Sequence, residues 1–273
     1  MIKTCVYPIA GYGTRFLPFT KEVPKEMLPI GAKPLIHYGV EEAFNSGIKR
    51  NCMITSDAKL SIQKYFSEDD NDPRKEYFSR NNHIVSLTNI IQNSEFSFIN
   101  QISMKGLGDA ILHAKEIVKE KQFAVILVDD FCFNYRKSVI SQLIDIAKMY
   151  PDHCVVAVEE VEEESIHNYG IVEIGGPTEN ENLFRVKSLV EKPKAIDAPS
   201  NLAIIGRYIL SNEIFMHIEN IPRYDKSEIQ ITTALNSLAK LDKVLALRFD
   251  GLRFDCGSFP GFLSANIFIN KES

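Results

Sequence analysis

Two hydrophobic periods alternate along the first 158 residues. Apolar runs at 5–10, 123–128 and 154–158 have the length and composition of buried strands, and the segments 51–55 and 96–100 also have strand character. Between them, segments 35–44, 58–66, 106–118 and 138–149 repeat apolar side chains every three or four positions, which predicts helices with one buried face. An alternation of strand and helix indicates an α/β fold with a parallel sheet covered by helices.

The rhythm changes after residue 158. Short strands are predicted at 170–174, 183–189, 202–210 and 244–249, and helices near 211–220, 227–241 and 260–269. We interpret this half as strands added to the sheet together with a small subdomain. The polar stretch 67–82 is predicted to be an exposed insertion.

A glycine-rich loop follows the first predicted strand. Gly11 and Gly13 allow a sharp turn that can present several N–H groups to one anion, and Arg15, Lys21 and Lys25 add positive charge. Four prolines between residues 17 and 34 exclude the continuous helix of a dinucleotide fingerprint, and no Gly-Lys-Ser/Thr string is present. The loop therefore indicates a polyphosphate site, although a glycine turn with solvated cations has the same pattern.

Composition narrows the classes of partner. A net charge of -5 and a pI near 5.8 argue against general affinity for nucleic acid or for a membrane surface. The five cysteines form no C-x-x-C pair and several lie in apolar runs, which is typical of reduced thiols and of a cytoplasmic protein. No apolar run approaches the ~20 residues that span a bilayer.

Three acidic positions could carry chemistry. Asp129 follows the most apolar strand and Asp255 lies in a polar string, and carboxylates of this kind are natural ligands for Mg²⁺. A turn or helix cap is the alternative role for Asp129. Its neighbour Asp130 should point the opposite way if strand alternation continues. Glu191 and Lys192 could place an acid and a base at a sugar phosphate, or form a charged turn before proline.

An ordered set of short strings spans residues 4 to about 268. They are Ala10-Gly11-Tyr12-Gly13-Thr14-Arg15, Pro24-Lys25-Glu26-Met27-Leu28-Pro29, Lys105-Gly106-Leu107-Gly108, Leu127-Val128-Asp129-Asp130, Tyr169-Gly170, Glu191-Lys192-Pro193, Ser200-Asn201-Leu202-Ala203, Gly206-Arg207-Tyr208, Glu228-Ile229-Gln230 and Asp255-Cys256-Gly257. In this set and order the chain resembles the bacterial UTP-glucose-1-phosphate uridylyltransferases.

The resemblance implies one nucleotidyltransferase domain over 1–273, with a nucleotide-binding half (1–158) and a sugar-binding and C-terminal half (159–273). Its fold would be Rossmann-like, with a mixed, mostly parallel central sheet flanked by helices. The implied reaction is Mg²⁺-dependent transfer of UMP from UTP to glucose 1-phosphate. A homodimer or homotetramer is also implied, and the apolar residues of the last helix could serve either the core or that interface.

Carried over by position, the implied roles fall into four groups. Catalysis would rest on Arg15, Lys25 and Lys192. The nucleotide would be bound by Ala10, Gly11, Gly13, Thr14, Gln101 and Gly106. Sugar hydroxyls would meet Gly170, Glu191 and Asn201. Magnesium would be held by Asp129 and Asp255.

Several family positions are changed in this chain, at Ala32, His37, Ser227 and Thr233. They leave fine specificity and assembly open more than the chemistry, and His37 is expected to be an ordinary packed or surface residue. Two other functions stay open at this point. One is a sibling enzyme that uses dTTP or another sugar 1-phosphate, and the other is a non-catalytic regulatory paralogue that binds a nucleotide sugar.

Overall fold

Strands and helices alternate up to residue 160 and then change character, as the hydrophobic pattern predicts. A computed structural model describes residues 1–68, 72–78, 80–222 and 228–272. The strands are β1 (Thr4–Pro8), β2 (Pro29–Ile30), β3 (Lys33–Pro34), β4 (Arg50–Thr55), β5 (Glu95–Asn100), β6 (Gln122–Ile126), β7 (Asp130–Phe133), β8 (Cys154–Glu160), β9 (Gly170–Pro177), β10 (Leu183–Glu191), β11 (Leu202–Ser211), β12 (Val244–Arg248) and β13 (Leu252–Asp255).

Helices cover the sheet and begin where the apolar periodicity begins. The α-helices are α1 (Leu35–Asn45), α2 (Leu60–Tyr65), α3 (Lys75–Phe78), α4 (Asn82–Gln92), α5 (Leu107–Leu112), α6 (Val139–Met149), α7 (Ile214–Glu219), α8 (Ile231–Ala239) and α9 (Phe259–Glu272). Short 3₁₀ turns lie at Thr14–Phe16, Phe19–Lys21, Lys25–Met27, Asp57–Lys59, Glu163–Asn168 and Ala195–Asp197. No described helix is long and apolar enough to cross a membrane.

The main sheet has nine strands in the order β5-β4-β1-β6-β11-β8-β12-β10-β9. Within the described residues, seven of the nine strands run in one direction, and β10 and β11 run against them. The mixed, mostly parallel sheet is therefore confirmed. The main-sheet strands from residues 4–158 all run in the same direction, as expected, but antiparallel β11 lies between β6 and β8.

The two faces of the sheet bury separate apolar cores. Along β1, Cys5 and Tyr7 face the core under α1, α4 and α6, whereas Val6 faces the core under α5, α7 and α8. This follows from the pleat, which sends successive side chains to opposite faces. Such double coverage explains why the strands read as continuous apolar runs and not as alternating ones.

A small ribbon of β7 and β13 stands beside the main sheet. The two strands are antiparallel, with Asp130 opposite Asp255. Phe131, together with the partly buried Phe254 and Phe262, packs in a third apolar core between this ribbon and α9. The ribbon matters for function because it brings the end of β6 together with a segment more than a hundred residues later.

The structure differs from the expected elements in the short strands β2, β3, β7 and β13, which were not predicted, and in two helical segments. The helix expected at 106–118 ends at Leu112 and continues as turns, although Ala114 and Val118 remain buried. Helix α4 was not predicted, and it begins after Asn81, whose side chain accepts hydrogen bonds from the N–H groups of His83 and Ile84. The strings at 69–71 and 223–227, which include Ser227, lie outside the described residues.

Candidate active site

Two cavities meet at the carboxyl ends of β1 and β6. The larger has a volume of about 640 Å³ and the smaller about 300 Å³. Leu107, Leu127 and Asp129 line both. Open α/β sheets bind their ligands at this edge. Asp129 therefore lies where a ligand in one cavity would meet a ligand in the other.

The smaller cavity collects the residues expected to bind the nucleotide. Ala10, Gly11, Lys25, Gln101 and Gly106 all line it. Gly106 has a φ of 95°, and a Cβ there would lie 2.9 Å from the carbonyl oxygen of Ile229. Only glycine fits this contact, which holds the 105–108 loop against the segment before α8.

The rest of the glycine-rich loop lies beside the cavities. Gly13 has a φ of 67°, and its carbonyl oxygen accepts a hydrogen bond from Thr20 Oγ1 at 2.8 Å. Gly13 and Thr14 are not part of either lining, whereas Arg15 lines the larger cavity. Nη1 of Arg15 donates to the carbonyl oxygen of Gly257 at 3.2 Å. Two hydrogen bonds thus hold the loop in place, and the second brings the Arg15 guanidinium next to the segment that contains Asp255.

Lys25 and Asp129 form an ion pair at the junction of the cavities. Nζ of Lys25 donates to Oδ2 of Asp129 at 2.6 Å. Burial lowers the pKa of Lys25, but the charges of Asp129 and Glu26 raise it by more. Burial raises the pKa of Asp129, but the charge and hydrogen bond of Lys25, together with a backbone hydrogen bond and the charge of Arg15, lower it by more. Both groups are therefore charged at neutral pH.

Asp255 converges on the same point. A Cβ placed on Gly257 would lie 3.0 Å from Asp255 Oδ1 and 3.3 Å from both Asp129 Oδ2 and Arg15 Nη1. The N–H of Gly257 donates to Asp255 Oδ1 at 3.0 Å, and the N–H of Cys256 donates to the carbonyl oxygen of Asp129 at 2.7 Å. The missing side chain at Gly257 leaves a cradle between two carboxylates.

That cradle fits a hard cation with few protein ligands. Among the described residues, no three His, Cys, Asp or Glu side chains are grouped as a metal cage. Mg²⁺ keeps several waters and is commonly bound by one or two carboxylates plus substrate phosphates. Asp129 and Asp255 supply that donor set. Three or more protein ligands, as a structural zinc site needs, are not offered here.

Asp130 has other partners than Asp129 does, although the cause is not strand alternation, since residues 128 and 129 form a turn between β6 and β7. Its Oδ2 accepts the N–H of Gly206 at 2.7 Å, and its Oδ1 lies 2.5 Å from Nη2 of Arg253. Arg253 also donates to Glu159 Oε1 at 2.8 Å and to the hydroxyl of Tyr169 at 3.1 Å. Burial lowers the pKa of Arg253, and its acidic neighbours raise it by more.

Sequence reasoning did not single out Arg253 as a site residue. It lines the larger cavity, and its neighbour Tyr169 donates to Asp255 Oδ2 at 3.3 Å. The available signal was its position two residues before Asp255, since alternate strand residues share one face. Thr232 was also missed as a site residue: its hydroxyl donates to Glu191 Oε2 at 2.9 Å.

The larger cavity holds two of the three expected sugar contacts. Gly170 and Glu191 line it, and a Cβ on Gly170 would lie 2.8 Å from Thr232 Cγ2. Asn201 lies instead in a separate depression beside Val161 and Glu162. The structure therefore does not bring Asn201 together with the other candidates.

Lys192 lies beside the larger cavity, next to Glu191. Its side chain is about half exposed, with Nζ 3.8 Å from Glu191 Oε1. Its φ is 45°, a left-handed conformation that costs a lysine energy, while its N–H donates to the carbonyl oxygen of Tyr169 at 2.9 Å. A strained residue with a half-exposed ammonium group next to a cavity-lining glutamate is a candidate for ligand contact.

Three of the changed family positions can be located. His37 is buried, with Nδ1 2.9 Å from the hydroxyl of Tyr65, so it is a packed residue as expected. Ala32 and Thr233 are exposed, at the β2–β3 turn and on α8. Neither touches the cavities.

Comparison with known proteins shows to which protein family the chain belongs. The chain belongs to the nucleotidyl transferase family, whose model matches residues 9–272. The resemblance drawn from the sequence is therefore confirmed, and it extends to solved structures and to curated enzymes.

Among curated proteins, the UTP–glucose-1-phosphate uridylyltransferase of Pseudomonas aeruginosa is 44% identical, over 98% of this chain and 96% of that protein. One of Staphylococcus epidermidis is 40% identical over 97% of this chain and 91% of that protein. A UDP-glucose pyrophosphorylase solved in complex with UDP-glucose superposes with a TM-score of 0.91 at 42% identity, with both chains fully covered. A UTP-bound UGPase from Acinetobacter baumannii gives 0.89 at 35% identity, covering 100% of this chain and 95% of that one.

Proposed function

We propose that this protein transfers UMP from UTP to glucose 1-phosphate, giving UDP-glucose and pyrophosphate. The observation that carries the proposal is the meeting of two cavities at Asp129, with nucleotide candidates in one and sugar candidates in the other. The names of the relatives, which are similar over nearly the whole chain, support the same substrates.

The reacting groups define what the residues must do. An oxygen of the glucose 1-phosphate attacks the α-phosphorus of UTP, and the bond to the β-phosphate oxygen breaks to release pyrophosphate. The attacking phosphate is mostly a dianion at pH 7, since its second pKa is near ~6, so no general base is needed. The protein must instead align two anions and neutralise their charge.

The cations of the site suit that task. Lys25 keeps its proton because Asp129 raises its pKa, and Arg15 is fixed by its bond to the Gly257 carbonyl. Ala10, Gly11, Gly13 and Thr14 would hold the triphosphate through backbone N–H groups. Lys192, at the edge of the larger cavity, would reach the sugar phosphate.

The remaining roles follow the cavities. Gln101 and Gly106 would face the base, and Gly170 and Glu191 would contact the glucose hydroxyls. Asn201 stays a prediction, and its position in a separate depression gives it no support. Mg²⁺ held by Asp129 and Asp255 would supply further neutralisation of charge between the two anions.

Pyrophosphate release from UTP, glucose 1-phosphate and Mg²⁺ tests the proposal directly. We expect turnover with UTP and a lower kcat/KM with dTTP or with other sugar 1-phosphates. A larger kcat/KM with dTTP would identify a sibling enzyme. Binding of UDP-glucose without turnover by folded protein would identify the regulatory paralogue.

The last helix, α9, has an exposed apolar stripe that bears on assembly. Phe259, Leu263 and Ile267 recur every four residues on α9, and all three are at least half exposed. We propose that this stripe joins copies into a homodimer or homotetramer, because burying such a stripe is favourable. Light scattering that gives a monomer at micromolar concentration would contradict it.

We propose a cytoplasmic location, because five unpaired cysteines fit a reducing compartment.

We also propose that residues 1–158 act as the nucleotide-binding half and 159–273 as the sugar-binding and C-terminal half of one domain.

A further inference from the structure

A buried carboxylate fixes the orientation of the Gln101 amide. Nε2 of Gln101 donates to Oδ2 of Asp109 at 2.7 Å, and both side chains are buried. The nitrogen of the amide is its donor end, so the NH₂ group faces Asp109 and the amide oxygen faces away from it. The N–H of Gln101 donates to the carbonyl oxygen of Thr55 at 2.8 Å, which fixes the backbone as well.

The other end of the amide is left for the smaller cavity. Gln101 lines that cavity, and within the described residues no donor reaches its Oε1. The NH₂ group carries a second hydrogen besides the one given to Asp109. A ligand in the cavity therefore meets an acceptor with a donor beside it. Met104, Leu107 and Ala110 supply apolar walls on which a flat base can lie.

Uracil and cytosine differ at the edge that such an amide can read. Uracil offers the N3–H donor beside the O4 acceptor, whereas cytosine offers the N3 acceptor beside the N4 amino donor. A glutamine amide that is free to flip can pair with either edge, because its oxygen and nitrogen are nearly interchangeable in shape. An amide held with its oxygen toward N3 pairs only with uracil.

We propose that Asp109 is a specificity-determining positioning residue that makes the site select uracil over cytosine nucleotides. It does so through Gln101, without touching the base. This inference rests on the proposed function, since it takes the smaller cavity as the base site.

The test compares UTP with CTP in the full-length protein. We would measure kcat/KM for each nucleotide in the wild type, in Asp109→Asn and in Asp109→Leu, with Glu116→Gln as a control at an exposed acid on the turn that follows α5. Both Asp109 variants should lower the UTP:CTP ratio about 10-fold or more, because the amide can then flip. The control should keep the wild-type ratio.

Two further measurements keep the outcome readable. Calorimetric binding of UTP and CTP without glucose 1-phosphate should give the same loss of preference. Gln101→Leu, which removes the amide, should lose the preference too, even if the Asp109 variants fail to fold.

An equal fall for both nucleotides, or an unchanged ratio in the folded variants, would overturn the role of Asp109. Absence of turnover by the wild type, with UTP still bound more tightly than CTP, would instead count against the proposed function alone.

Discussion

Two clusters of charged side chains lie side by side in this protein. One leaves space for a ligand between its members, and the charges of the other are paired with each other. The open cluster comprises Arg15, Lys25, Asp129 and Asp255, and the closed cluster comprises Asp130, Glu159 and Arg253. Adjacent residues of the chain, Asp129 and Asp130, belong to different clusters. In the closed cluster Arg253 bonds both acids, and the second oxygen of Asp130 is taken by the N–H of Gly206.

The open cluster is incomplete in comparison. Its two carboxylates and one guanidinium converge on the space beside Gly257. Lys25 is the one cation of the cluster that bonds an acid of the cluster among the described residues, whereas Asp255 is held from outside by Tyr169 and, at 4.0 Å, by Arg253. Charges are costly to bury unless they are paired, so a protein keeps such an arrangement where a ligand completes it. The comparison teaches that titratable residues at one sheet edge divide into those that bind a ligand and those that hold the binding groups in place.

The largest effect should come from removing either acid of the open cluster. Asp129→Asn and Asp255→Asn should each lower kcat by at least ~10² to 10³, because a preorganised electrostatic group is lost. Steady-state pyrophosphate release measures the effect, and circular dichroism should report a folded protein. Asp152→Asn, at an exposed surface acid, is the matched control. Near-normal kcat in both variants at saturating Mg²⁺ would contradict the division.

Asp130→Asn should reduce stability first. It breaks a buried ion pair and leaves Arg253 without one of its acids, which costs about 3 kcal/mol in the free energy of unfolding. Urea unfolding measures this loss. The second change Arg253→Met, added to Asp130→Asn, should recover part of the stability, because the unpaired buried charge is then gone. A destabilisation of less than 0.5 kcal/mol, within the usual range for surface substitutions, would contradict a stabilising role for the Asp130–Arg253 ion pair.

Gly257→Ala should damage the open cluster without removing any charge. Its added methyl would lie 3.0 Å from Asp255 Oδ1 and 3.3 Å from Asp129 Oδ2, so both oxygens must shift. We expect kcat to fall about 10-fold and the Mg²⁺ concentration for half-maximal rate to rise, because small misplacements of reacting groups are costly. Gly176→Ala, whose Cβ would meet open space, is the control. Equal rates in the two variants would argue against the cradle.

The smallest expected effect is on stability and concerns Glu41 on α1, another acid that is paired with neighbouring side chains. Burial raises the pKa of Glu41, but bonds from His37 and Lys33 lower it by more, to about 2. Its contribution to stability is complete above the unfolded pKa near 4.5 and is lost as the pH falls toward 2. Glu41→Gln should therefore cost about 1 to 2 kcal/mol at pH 7, after allowance for solvent screening, and progressively less below pH 4.5.

Thermal unfolding of the two proteins from pH 7 to pH 3 measures the difference. A gap in Tm that grows as the pH falls would have the wrong sign for this ion pair.

Much of the fold could be predicted because the periodicity is strong. The strands that became β1, β4, β6 and β8 have apolar centres and are mostly buried, and helices α1 and α6 have one regular buried face. Helix α4 was missed because its buried residues, Leu87 and Ile90, are separated by polar and β-branched ones. The place of β11 in the sheet could not be found, since periodicity carries no information on strand order.

The candidate site was predictable in part. Residue type and spacing indicate an anion site at the glycines and cations of the loop. The acids Asp129 and Asp255 stand out as metal ligands only through the family resemblance. Arg253 and Thr232 do not stand out, because their role depends on the β7–β13 ribbon and on the contact between α8 and Glu191. Four-residue strands such as β7 resemble loops in sequence. Their pairing is a tertiary property that no local pattern contains.

The position of β11 also constrains how the chain can be made. β11 is translated some fifty residues after β8, yet it fills the gap between β6 and β8. Until residue 211 has left the ribosome, β6 has an unpaired edge and β8 has no partner, since its other neighbour β12 is translated still later. Nascent chains of this length would expose apolar strand edges that promote aggregation. Chaperone contact during synthesis should therefore concentrate between the completion of β8 and the arrival of β11.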